Sequence, residues 1–177
     1  MAVDALHVAT KAGLGKLLSS AGFRCYGVTW NRLEDGLVAV VNLQRSRQTL
    51  PGVTKFALNI GVGFHVEQKS RSLKEWECPF ELRTRVAQNG AGIEFSGSWW
   101  DVTPMTQSVA EAQIADATYC MRRYGLPWLD ARKTVADVRK VLIDQLQRFV
   151  SNGAPQEVVD RYTRLIDRMT VLQPCAS

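Results

Sequence analysis

Two stretches in the first half of the chain divide residue by residue into two strand faces, and a later stretch does not. Leu37 to Ser46 (LVAVVNLQRS) sets Leu37, Ala39, Val41 and Leu43 on one side and Val38, Val40, Asn42, Gln44 and Ser46 on the other. Thr54 to Phe64 repeats the pattern, with Phe56, Leu58, Ile60, Val62 and Phe64 opposed to Lys55, Ala57, Asn59, Gly61 and Gly63. A period of two is the signature of a β-strand. After Pro104 the period lengthens to that of a helix, carried by Ala110, Ile114, Ala117, Met121 and Tyr124. Strands gathered in one part and helices in another give an α+β fold rather than an alternating α/β one.

The remaining elements fit that frame. Leu6, Leu14, Leu17 and Leu18 share one face of a helix from Asp4 to Ser20, with Gly22 placed to end it. Phe23 to Arg32 and the Glu34-Asp35-Gly36 turn read as a hairpin leading into Leu37. Pro51-Gly52 and Asn89-Gly90 are turn signals, and Gln68 to Glu77 reads as a long loop or short helix. Pro79 to Ala87 alternates Phe80, Leu82, Thr84 and Val86 against Glu81, Arg83 and Arg85, and Gly92 to Val102 is a weaker strand ending in Trp99-Trp100. In the C-terminal part a helix is expected to stop at Gly125, Thr134 and Asp137 form a capping box for a second, and Pro155 opens a third. The expectation is one domain over residues 1–177: an N-terminal helix and a meander over 4–103, a helical part over 104–172. Its antiparallel sheet has about five strands, with the C-terminal helices packed on it.

With 177 residues, 46% of them hydrophobic, the chain has enough apolar surface for a core of ordinary size. Cys25, Cys78, Cys120 and Cys175 are far apart, and only His7 and His65 are present to complete a ligand set. No metal site and no cofactor is therefore expected, and the cysteines read as reduced thiols. The N-terminal stretch carries Asp4 and lacks a continuous apolar run, and no segment approaches the length of a membrane span. The expected location is the cytoplasm. Net charge is +5, and fifteen of the twenty-two basic residues are arginine, a side chain suited to planar contacts with carboxylate or phosphate.

From Gly22-Phe23 through Val41-Asn42-Leu43-Gln44-Arg45-Ser46 the sequence resembles the bacterial domain-of-unknown-function family numbered 4304. Phe56 to Val62 (FALNIGV), Cys78 to Arg85 (CPFELRTR) and Trp99-Trp100 are similar to that family's later landmarks, in the same order. The resemblance implies a helix, meander and helices, and brings no substrate, cofactor or catalytic residue with it.

Motifs of catalysis are weak. Neither His7 nor His65 neighbours a nucleophile signature. Glu34-Asp35 sits in a turn, and Glu75 and Glu77 flank Trp76. Gly13-Leu14-Gly15-Lys16 is half of a phosphate loop but lies within a helical pattern, where close packing explains it. What stands out is the second face of the meander. There Asn42, Gln44, Lys55, Asn59, Arg83 and Arg85 project together, with Glu81 beside them and Trp100 as a stacking ring. Ala57, Gly61 and Gly63 leave that face bare enough for a close approach. These residues point to a non-catalytic binding protein that recognises an acidic protein surface or a small anion. A toxin-neutralising, immunity-like accessory role is one instance. A nucleic-acid-binding accessory protein is the alternative, and an enzyme without a recognisable signature is a third reading.

Overall fold

The structure is a computed structural model, which describes residues 4–46, 53–64, 72–88, 92–94 and 98–171. Pro51-Gly52, His65, Asn89-Gly90 and Cys175 lie outside these residues. The expected N-terminal helix is present but broken into α1 (Ala5–Ala12) and α2 (Leu14–Ser20). The break falls at Gly13, where an added Cβ would stand 3.0 Å from Ile114 Cγ2, so the missing side chain lets the elbow press on a later helix. Asp4 caps α1 by accepting from the Leu6 amide.

An antiparallel sheet follows, in the order β1 (Arg24–Tyr26), β2 (Thr29–Glu34), β3 (Leu37–Arg45), β4 (Lys55–Phe64), β5 (Arg83–Val86) and β6 (Ile93–Glu94). A further short strand, β7 (Trp100–Asp101), pairs with the start of β4. The alternation in β3 and β4 is realised: Leu37, Ala39, Val41 and Leu43 share one buried cluster with Phe56, Leu58, Ile60, Val62 and Phe64.

The helices that back this face begin with α3 (Gln107–Cys120). Gly125 does not stop it. The chain runs on through a wide helical turn, Met121–Gly125, into α4 (Leu126–Asp130), and Gly125 keeps right-handed helical dihedrals. The glycine is there for space, since a Cβ would stand 2.4 Å from Met121 Sδ and 3.1 Å from Val86 Cγ2. The capping box opens α5 (Val135–Ser151), with Thr134 Oγ1 accepting from the Asp137 amide and Asp137 accepting from that of Thr134. Past Pro155, α6 (Gln156–Val171) buries Tyr162, Leu165 and Met169 in the same cluster as the sheet. The architecture is α+β, as expected.

Two local readings change. Phe80 to Leu82 is a single short helical turn instead of the start of a strand. Phe80 is consequently exposed, lying between the Arg83 and Arg161 guanidinium groups. Glu81 leaves the expected face to pair with Arg161 on α6, and its side chain is 5% exposed.

Candidate functional site

The second face of the sheet is more occupied than its bare sequence suggests. Glycines 61 and 63 are covered by the chain itself, through a short helical turn at Glu75–Glu77 and its flanks. Leu73 and Cys78 pack on Val38 and Val40 as a small second core. A Cβ on Gly63 would lie 2.2 Å from Leu73 Cδ2, and one on Gly61 would lie 3.0 Å from Cys78 Sγ. The close approach expected of a ligand is made by this segment. Burial pushes the Cys78 thiol far up, reinforced by the Glu75 and Glu77 charges and only partly opposed by Arg83, so it is not a poised nucleophile.

Beside that cover, cross-strand register brings Thr29, Asn42, Asn59 and Arg85 into one row across β2 to β5. Asn42 Nδ2 donates to Thr29 Oγ1 at 3.0 Å, Asn59 Nδ2 to Gln44 Oε1 at 2.8 Å, and Arg85 Nε to Asn59 Oδ1 at 2.9 Å. Asn42 and Asn59 are buried. Arg83 Nη1 stands 3.7 Å from Glu75 Oε1, and Lys55 Nζ stands 3.5 Å from Asp101 Oδ2. Six of the seven expected binding residues thus share one face, each with a polar partner inside the chain. Trp100 is the correction. It is fully buried on the opposite face, stacked on Phe56 with ring centroids 5.3 Å apart, and its Nε1 donates to Asp116. The tryptophan on the polar face is Trp99, whose ring centroid lies 4.8 Å from the Arg85 guanidinium carbon.

A second feature lies at the other end of the molecule. Between the α1–α2 elbow and the core face of β1 to β3 there is a groove of about 1020 Å³, at the upper end of the size usual for small-molecule sites. Its floor is made by the buried residues Leu6, Thr10, Trp30 and Leu43, and its rim by exposed ones, among them His7, Lys11, Lys16, Cys25, Val28 and Arg45. Helical spacing explains the α1 wall: Leu6 and Thr10 are four apart on the inner stripe, with His7 and Lys11 on the next. A Cβ on Gly15 would stand 3.3 Å from the Thr10 carbonyl oxygen, so the glycine lets α2 lie close against the end of α1.

The groove's electrostatics are uneven. Its rim carries Lys11, Lys16 and Arg45, and Arg45 pairs with Asp4. Burial raises the Asp4 carboxyl, but the hydrogen bond and charge of Arg45, with the His7 and Leu6 amides, outweigh it and hold it below its ordinary value. Beneath the floor, Trp30 is 2% and Thr10 8% exposed, and Trp30 Nε1 and Thr10 Oγ1 are buried with no hydrogen-bond partner among the described residues. Cys25, the exposed cysteine at the rim, donates its thiol hydrogen to the Gly27 carbonyl at 3.4 Å.

No local motif in the sequence marks this groove. Close packing accounts for both Gly13 and Gly15, whose added Cβ atoms would stand 3.0 Å from Ile114 Cγ2 and 3.3 Å from the Thr10 carbonyl oxygen.

A family model described as Domain of unknown function (DUF4304) matches residues 14–131. No curated protein and no solved structure matches the chain. The matched stretch runs from α2 to just past α4, takes in every strand and covers well over half of the 177 residues. The chain belongs to the DUF4304 family of domains of unknown function.

Proposed function

We propose that this chain is a non-catalytic binding protein that recognises an anionic group of its partner, and that the contact is made at the groove between α1–α2 and β1–β3. The observation that carries the reading is the groove's construction, an apolar trough of about 1020 Å³ with Lys11, Lys16 and Arg45 on its rim. Cations at the mouth of a low-dielectric trough attract anions, and the walls supply contact area. The arginines of the sheet face are less suited to the task, because Arg83 and Arg85 are held by Glu75 and Asn59 of the same chain. Among the described residues the Cys25 thiol has its hydrogen bond to the Gly27 carbonyl and none to a side-chain base.

The test is fluorescence anisotropy with a labelled glutamate-rich peptide, at low and high salt. Saturable binding that weakens with salt is expected. Lys11→Glu/Lys16→Glu should lower affinity at least tenfold, the equivalent of about 1.4 kcal/mol, at an unchanged unfolding midpoint. Loss of binding in a folded Arg83→Ala/Arg85→Ala variant, with the lysine variant binding normally, would return the site to the sheet face. Single-stranded DNA is the control for the nucleic-acid reading. Tight binding of DNA with a steep salt slope, and none of the peptide, would put that reading in place of this one.

A further inference from the structure

The most exposed large apolar side chain among the described residues is Trp76, 63% accessible on the short turn Glu75–Glu77. An indole left in water forgoes one of the largest burial energies a side chain offers, and tryptophan is among the residues most enriched at the energetic centres of protein contacts. In the chain the ring stands between two carboxylates. Glu75 is half-buried and already paired with Arg83 at 3.7 Å, so the exposed Glu77 is the charge presented next to the indole. Glu77 Oε2 accepts from the Lys74 amide at 2.6 Å, which fixes the carboxylate's place on the turn.

The groove between α1–α2 and β1–β3 is the counterpart of that turn. Its floor is apolar, and the charged side chains that line it, Lys11, Lys16 and Arg45, are all cationic. Arg45 is taken by Asp4, whereas for Lys11 and Lys16 no ion pair is found among the described residues. At about 1020 Å³ the groove holds an indole with room for the residues beside it. The sheet keeps Trp76 of the same copy out of it. Leu73 and Cys78 hold the turn over Gly61 and Gly63 on the polar face, while Trp30 and Leu43 of the groove belong to the core on the other. We infer that a second copy of this chain fills the groove, head to tail, with its Trp76 in the apolar trough and its Glu77 against Lys11 and Lys16. The inference rests on the groove being the site for anions and names the partner as another copy of the chain. A contact between two different surfaces of identical chains continues into a ring or an open filament.

Sedimentation velocity of the full chain over a wide range of concentrations is the experiment. The sedimentation coefficient is expected to rise with concentration. Trp76→Ala, at an exposed position, and Lys11→Glu/Lys16→Glu should each weaken the association about tenfold or more. Tyr119→Ala, which removes an aromatic ring 58% exposed on α3, should leave it unchanged. An equimolar mixture of the first two variants decides the geometry. One supplies an intact groove and the other an intact Trp76, so the mixture should form a one-to-one dimer that grows no further. A chain that is monomeric at every concentration, an association that survives Trp76→Ala, or a mixture that sediments as its separate components overturns the inference. Monomeric protein that still binds the glutamate-rich peptide through Lys11 and Lys16 removes self-association and keeps the anion site. Failure of association and of peptide binding alike removes both.

Discussion

Arg85 and Asn59 are direct cross-strand partners, and the arginine's Nε donates to the amide oxygen at 2.9 Å while its guanidinium lies against Trp99. Asn59 in turn donates to Gln44 at 2.8 Å. The pair therefore belongs to a hydrogen-bonded row whose loss leaves polar atoms stranded. Asn59→Ala should cost about 1–3 kcal/mol, the usual penalty for unmaking buried hydrogen bonds. Its neighbour Ile60, fully buried on the other face, should cost about 2–5 kcal/mol on truncation to alanine. Chemical denaturation of the two variants checks the ranking. A larger cost for Asn59→Ala would mean that β4 is shifted by one residue and its two faces exchanged.

The two adjacent tryptophans should separate cleanly. Trp100 is fully buried, stacked on Phe56 and hydrogen-bonded to Asp116 at 2.7 Å, so Trp100→Ala is expected to lose about 3–5 kcal/mol. Trp99 is half-buried and its described contact is the Arg85 cation, so Trp99→Ala should lose about 1 kcal/mol or less. Unfolding midpoints settle the assignment, and equal losses would contradict it.

Glu75 gives a pH dependence with a definite sign. Burial raises its carboxyl above the ordinary 4.5, and the charges of Arg83 and Arg85 only partly pull it back. The folded state thus holds this proton to a higher pH than the unfolded chain does. Its contribution to stability is fully present below 4.5 and is lost as pH rises through the folded value. Glu75→Gln, uncharged throughout, should equal or exceed the parent in stability at neutral pH, with the parent recovering as the pH falls through the raised folded value towards 4.5. Urea midpoints across that range are the check, and a variant that is weaker only at neutral pH would show that the Arg83 pair outweighs the burial.

What the sequence made legible follows from which signals are local. The faces of β3 and β4 were readable because side-chain direction in a strand alternates whatever the chain packs against, and the Thr134–Asp137 cap because it closes within one turn. The cover over Gly61 and Gly63 was not, since nothing near the glycines announces that Leu73 and Cys78 return to fill them. The Trp99-Trp100 parity was lost for a related reason: β7 is two residues long and pairs with β4 apart from the main order of strands, so the alternation cannot be carried into it from β5. Gly125 was misread because a glycine that ends a helix and one that admits a methionine sulfur look alike in sequence. The groove depends on α1, α2 and three strands at once, so its walls come together only in three dimensions.

The central claim is that an anion is received between α1–α2 and β1–β3, and chemical-shift mapping of isotope-labelled protein during titration with the glutamate-rich peptide tests it most directly. The indole N–H of Trp30 is assigned by its disappearance in Trp30→Phe, and the backbone amides of Lys11, Gly15, Lys16 and Gly27 report the rim. The account expects these resonances to move together and to saturate, while Asn59, Arg83 and Arg85 stay in place. Saturable shifts confined to Asn42, Asn59, Arg83 and Arg85, with the groove resonances unmoved, would contradict it.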